Sequence, residues 1–154
     1  TERGKTVMKK TNEASKQTGI SKRTLQYYDE TGLIVVERNA NNHRIYDTKV
    51  LERVWEILVY KEMHLELKEI KQLLLLSEEQ KEEFLNQRME ILQKEIMDIE
   101  VQMGFISLVE KHGMPAVPSE ETGLTFTECI MKLKEKIRIE ITKNEGGNDR
   151  GKTK

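Results

Sequence analysis

Cysteine, proline and aromatic residues are scarce in this 154-residue chain. The single cysteine, Cys129, excludes an internal disulfide framework and is compatible with a reducing compartment. Two prolines and 5% aromatic residues, set against 34% charged residues, suit long solvent-laced helices better than a β-sandwich. No apolar run reaches membrane-spanning length and no signal-peptide-like hydrophobic segment opens the chain, so it is expected to be cytoplasmic with no membrane partner. Paired carboxylates, a Cys–His pair and a Gly-rich phosphate loop are all missing from any setting that could form a catalytic site. The terminal "NEGGND" is too polar and too near the end to cradle phosphates. The chain is therefore not expected to be an enzyme or to hold a cofactor.

What is present is unevenly spread. Residues 1–50 carry 10 Lys/Arg against 6 Asp/Glu, and residues 51–154 carry 16 against 21. A basic first part on an acidic remainder suits a nucleic-acid-binding head on a different kind of body. At this length the chain can fold as one or two small domains with a modest core.

Thr11 or Asn12 can cap a short helix through "EASKQT" that ends at Gly19, a residue suited to a left-handed turn. Ile20 plugs the core, Ser21 caps a second helix, and Leu25, Tyr28 and Thr31 give it an inward stripe. Two short helices joined by a tight turn make a helix-turn-helix. Its adjacent tyrosines are expected to split, Tyr28 inward and Tyr27 outward with Arg23, Gln26 and Glu30. Ile34–Val36 and Arg44–Tyr46 flank the polar tip "NANN", which predicts a small hairpin with Arg38, His43 and Arg44 near its end. Together these form a winged helix-turn-helix.

Asp47 or Thr48 then caps an amphipathic helix with Val50, Leu51, Val54, Trp55, Leu58 and Val59 on one side; Trp55 is expected at the core rather than stacking a ligand. After a turn near His64, "ELKEIKQLLLL" places Leu67, Ile70, Leu73 and Leu74 inward. Beyond Ser77, Leu85, Met89, Leu92, Ile96, Ile99, Met103 and Ile106 alternate at spacings of four and three, a heptad seam. A helix from about Ser77 to Lys111 would span roughly 50 Å. A second copy of the chain is the obvious supplier of a helix to cover that seam; the competing reading is a helix folded back on its own chain. "HGMPAVPSEETG" ends it, and a short amphipathic helix follows from Thr125 with Phe126, Ile130, Leu133, Ile137 and Ile141. The expected divisions are a flexible lead-in at 1–10, a head at 11–76, a coiled-coil helix at 77–113, a carboxy-terminal effector or packing segment at 114–143 and a flexible tail at 144–154.

"EASKQTGISKRTLQYYDETGLI", the hairpin ending "HRIYD", and "LERVWEILVYKEMHLELKEIKQLL" together resemble the MerR family of transcription regulators, over about Thr11 to Gly113. That family typically shows R-Y-Y-[DE]-x-x-G-L-[IL], a wing ending Y-R-x-Y, and helices joined through L-G-[FL]-x-L-x-E-I. The resemblance implies a mainly α protein with a winged helix-turn-helix head on a long dimerising antiparallel coiled coil. It implies a homodimer that binds double-stranded promoter DNA at a near-palindromic site, distorts it, and meets RNA polymerase only indirectly. Gln26 stands where the family has arginine, His43 where it has a wing tyrosine, and His64 where glycine is common. Glutamine pairs with adenine where arginine favours guanine, so the half-site is expected to differ.

The expected DNA-binding residues are Ser21, Lys22, Arg23, Thr24, Gln26, Tyr27, Arg38, His43, Arg44, Tyr46 and, from the resemblance, Lys61. Tyr46 serves equally as wing packing, and Lys61 as a solvated charge. For an effector, a lipophilic small molecule between tail helix and coiled coil, lined by Met103, Phe105, Phe126 and Met131, competes with ordinary packing by the same residues. One cysteine cannot supply two soft metal ligands from a single chain, and Cys129 with His112 across a dimer is the weaker reading against a small buried hydrophobe. The rival function is a coiled-coil adaptor that uses its head for protein contacts.

Overall fold

A computed structural model describes residues 8–148. The chain divides into two units, the first through Glu82 and the second from Glu83. Residues 1–7 of the expected lead-in and 149–154 of the expected tail lie outside the described residues.

The first unit runs β1 (Lys9–Lys10), α1 (Thr11–Thr18), α2 (Lys22–Glu30), β2 (Glu37–Arg38), β3 (Arg44–Tyr46), α3 (Thr48–Glu62) and α4 (Leu67–Leu74), and ends in the first residues of α5 (Glu78–His112). The turn between α1 and α2 is locked by short-range bonds. Gly19 takes φ 71° and its N–H donates to Ser15 O at 2.9 Å, a backbone that a side chain would strain. Ser15 Oγ donates to Ile20 O at 2.7 Å, and Thr18 Oγ1 accepts from Ile20 N at 3.2 Å. Ser21 caps α2 as expected, its Oγ accepting from Thr24 N at 3.1 Å. By contrast the N-cap of α1 is Lys10, whose side chain makes no cap hydrogen bond, so neither Thr11 nor Asn12 is the N-cap.

The adjacent tyrosines divide as their helical phase requires. Tyr28 is 1% exposed and Tyr27 50%. Tyr28 joins Ala14, Leu25, Leu33, Ile34, Tyr46, Val50, Val54, Ile57, Leu65, Ile70 and Leu73 in the core. At the far end of α2, Lys71 Nζ from α4 donates to Thr31 O at 2.6 Å.

The wing differs from the expected hairpin. Three strands lie in the order β1-β3-β2, with Lys9 opposite Tyr46, Lys10 opposite Ile45, and Glu37 opposite Ile45 on the other side. The strand paired with Arg44–Tyr46 is thus Glu37–Arg38 rather than Ile34–Val36, because Ile34 turns into the core while Val35 is exposed. Lys9 and Lys10, expected in a flexible lead-in, form an edge strand. At the tip Asn42 takes φ 64°, and Asn39 Oδ1 accepts from both Asn41 N and His43 N at 3.0 Å.

Asp47 caps α3, its Oδ1 accepting from Val50 N at 2.9 Å. The buried stripe of α3 is Val50, Val54 and Ile57. One residue past Val54, Trp55 is turned about 100° away and stands 68% exposed. The expectation of a tryptophan at the core is therefore wrong; it lines a surface groove with Lys9, Gln17, Leu51 and Glu52. Val59 is exposed for the same reason. His64 takes φ 57°, the left-handed exit that the residue usual in the family, glycine, would adopt freely.

Ser77 and Gln80 form a reciprocal cap at the start of α5, Gln80 N donating to Ser77 Oγ at 3.3 Å and Ser77 N to Gln80 Oε1 at 3.1 Å. In the second unit α5 continues to His112, and α6 spans Phe126–Asn148 after a 3-10 turn at Glu120–Thr122. α6 is longer than the short helix expected, running through residues 144–148 of the expected tail. Thr125 Oγ1 caps it by accepting from Glu128 N at 3.2 Å. The two helices meet at Gly104, where an added Cβ would collide with Ile137 Cγ2. Val101, one turn earlier, is buried. The seam residues Met89, Ile96, Ile99, Met103 and Ile106 are left 53–62% exposed. No helix among the described residues is long and apolar enough to cross a membrane.

Candidate nucleic-acid interface

Helix phase presents one face of α2 outward. Ser21, Lys22, Arg23 and Tyr27 are exposed, while Thr24 and Gln26 are partly covered. The Thr24 hydroxyl already lies 2.9 Å from Ser21 Oγ. This face carries two cations, an amide and a phenol, which is the chemistry that meets phosphates and base edges.

The wing is braced rather than free. Arg44 Nε donates to Asp29 Oδ2 at 3.1 Å, and Arg44 Nη2 lies 4.0 Å from Glu30 Oε1. Arg38 Nη1 donates to Asn42 O at 2.9 Å, which folds it over the wing tip. His43 is exposed, and so is Lys61 in the last turn of α3.

Tyr46 is 0% exposed. That burial corrects its placement among the DNA-facing residues: the ring packs the wing onto the core. Burial pushes its hydroxyl pKa above 10.0; nearby Thr11 and the Arg44 charge oppose the shift, and Asp29 adds to it. Among the described residues no group meets full hydrogen-bond geometry with the Tyr46 hydroxyl.

Gln26, Arg38, His43 and Arg44 come together on one cleft of about 430 Å³, joined by Lys10, Thr11, Asn12, Glu13 and Asn42. Ser21, Lys22, Arg23, Tyr27 and Lys61 lie outside it. Sequence reasoning missed Lys10, because a strand of two residues leaves no periodicity to read, and Thr11, which opens α1 directly after that strand. It also missed Asp29, although the acidic position after the paired tyrosines is part of the motif quoted above.

The second unit offers less. A cleft of about 330 Å³ is lined by Glu100, Met103, Ile141, Asn144 and Glu145. Of the four residues expected around an effector only Met103 borders it; Phe126 and Met131 are exposed, because α6 turns Ile137 rather than these side chains onto α5. Cys129 is half-buried, and among the described residues no group of three or more His, Cys, Asp or Glu side chains could hold a metal ion.

Residues 10–76 match the model of the MerR HTH family regulatory proteins. The nodulation protein NolA of Bradyrhizobium elkanii is 30% identical over 122 residues, covering 79% of this chain and 52% of that protein. The HTH-type transcriptional regulator CueR of Bacillus subtilis is 40% identical over 53 residues, 34% of this chain and 37% of that one. Among solved structures, the amino-terminal part of MtaN, the Bacillus subtilis multidrug transporter activator, superposes with a TM-score of 0.58 at 27% identity, covering 67% of this chain and 98% of that one. The chain spans about half the length of the NolA proteins it matches.

Proposed function

The chain belongs to the MerR family through its helix-turn-helix head, and from that premise we propose that it is a homodimeric regulator that binds a near-palindromic promoter site and distorts it. The observation that carries this reading is the pairing of an outward basic face on α2 with a wing tied to that same helix through Asp29 and Arg44. A rigid link between the groove-reading helix and the wing lets the two grip one duplex in fixed register.

Arg23, Gln26 and Tyr27 are the groove-facing set, and Gln26 selects adenine. Arg38, His43 and Lys61 contact the flanking backbone, with Arg44 positioning the wing. The exposed seam from Met89 to Ile106 is covered by the same seam of a second copy. Two heads related by a two-fold axis then require two half-sites on one side of the duplex. Bending a site of this size costs about 1–6 kcal/mol, which contacts available only on bent DNA offset. An effector at the α5–α6 cleft shifts the arrangement of the heads only as far as its affinities for the two arrangements differ.

The test is footprinting of the chain on its own upstream region over a range of salt. A protected, two-fold symmetric site whose affinity falls steeply with salt is the expected result. Absent or salt-insensitive binding across a promoter library overturns the proposal.

A further inference from the structure

The carboxy-terminal end of α2 lacks a cation of its own. Its last turn carries Asp29 and Glu30 and no basic residue, so two acids stand where the helix already has a partial negative charge. Two residues from elsewhere in the first unit offset this. Arg44 reaches Asp29 from the wing at 3.1 Å. Lys71 reaches Thr31 from α4, its Nζ donating to the carbonyl oxygen at 2.6 Å across 40 residues of sequence. Ile70 and Leu73, beside Lys71 on α4, are buried, which fixes the base of the lysine stem. Gly32 leaves room for the ammonium: it takes φ 78°, and a Cβ there would stand 3.3 Å from Nζ, tighter than side chains ordinarily pack.

Thr31 passes the constraint on. Its N–H and its Oγ1 both donate to the carbonyl oxygen of Tyr27, at 2.9 and 2.8 Å. The order Lys71, Thr31, Tyr27 thus joins α4 to the outward face of α2. Lys71 is itself exposed, so the bond contributes little to the stability of the head. Its consequence is where the end of α2 stands. We propose that Lys71 is a positioning residue for sequence reading: acting through Thr31, it holds α2 at the tilt at which Arg23, Gln26 and Tyr27 meet the base edges together. A bidentate amide on a base tolerates little tilt, whereas contacts with the phosphate backbone carry no sequence information to lose. Lys71 therefore sharpens the choice between sites without touching DNA. The proposal rests on the DNA-binding reading above.

The experiment is fluorescence anisotropy of the full chain on the footprinted duplex and on an unrelated duplex, over a salt series, with thermal melting of every variant. Lys71→Met keeps the stem and removes the donor. It is expected to weaken the footprinted duplex about tenfold, the readout of roughly one base pair, and to leave the unrelated duplex and the salt slope unchanged. Lys71→Arg keeps charge and donors and is expected to restore most of that loss. Gln26→Ala should cost the footprinted duplex less in the Lys71→Met background than in the wild type, although Gln26 and Lys71 line different clefts. Equal weakening of both duplexes, with the salt slope reduced by about one, places Lys71 on a phosphate and overturns the proposal. Strict additivity with Gln26→Ala overturns it too, as does a loss that follows the melting temperature in both Lys71 variants. If the wild-type chain binds and Lys71→Met binds like it, the positioning role is overturned and the regulator reading stands. No duplex binding by the wild-type chain overturns both.

Discussion

Asp29 holds both sides of the wing to α2: Oδ2 accepts from Arg44 Nε at 3.1 Å and Oδ1 from Val36 N at 3.3 Å. The two side chains are 22% and 18% exposed, so the pair is shielded enough to be stronger than a surface ion pair. Asp29→Ala is expected to cost about 1–3 kcal/mol in urea unfolding, because Arg44 and the Val36 N–H lose a charged acceptor. Arg44→Ala should show a similar loss of stability along with weaker DNA binding. A loss of binding with stability intact would place Arg44 on the phosphate instead.

The paired tyrosines predict opposite phenotypes one residue apart. Tyr28→Ala empties a core position and is expected to cost about 3–5 kcal/mol, as large-to-small core changes do. Tyr27→Ala removes an exposed ring and should leave stability within about 0.5 kcal/mol while lowering duplex affinity. Equilibrium unfolding and anisotropy on the two variants check both halves.

Gly104 and Ile137 should be energetically coupled. An alanine at Gly104 adds helix propensity of about 1 kcal/mol, yet its methyl collides with the stiff β-branched Ile137. In the wild-type background Gly104→Ala is expected to be neutral or destabilising. In an Ile137→Ala background it should stabilise by about 1 kcal/mol, the propensity alone. A double-mutant cycle with zero coupling would show that α6 does not rest on α5 at this point.

Burial raises the Tyr46 pKa above its ordinary 10.0, which fixes the sign of one pH effect. Below pH 10 the phenol is neutral in both folded and unfolded chains and its contribution is fully present. As pH rises past 10 the unfolded chain loses the proton first, so stability falls until the folded pKa is reached. Tyr46→Phe should abolish that alkaline fall. Since no described group meets full hydrogen-bond geometry with the hydroxyl, the same variant should cost little at pH 7. Chemical unfolding between pH 8 and about 11 provides the comparison.

The features legible in the sequence were those carried by period and by caps. Ser21, Asp47 and Gly19 mark ends with their own side chains or lack of one, and the structure uses each as expected. Leu25 and Tyr28 follow from helical spacing alone. Trp55 follows helical phase rather than size: Val50, Val54 and Ile57 define the buried stripe, and a bulky neighbour cannot rotate it. The wing strands were displaced because β-branched Ile34 is buried by the turn after α2, while the charged Glu37–Arg38 pair supplies the ladder. Within the candidate interface Gln26, Arg38, His43 and Arg44 were visible. Lys10 and Asp29 were not, since their placement arises from strand pairing and from a contact between residues 15 apart.

The central claim is that two identical heads on a shared rod bind one duplex. Native mass spectrometry of the chain mixed with the footprinted duplex tests it most directly. Two chains per duplex, reduced to one or none by Ile99→Asp in the seam, is the predicted result. A complex of one chain per duplex with the wild-type protein, at concentrations where the site is saturated, would contradict it.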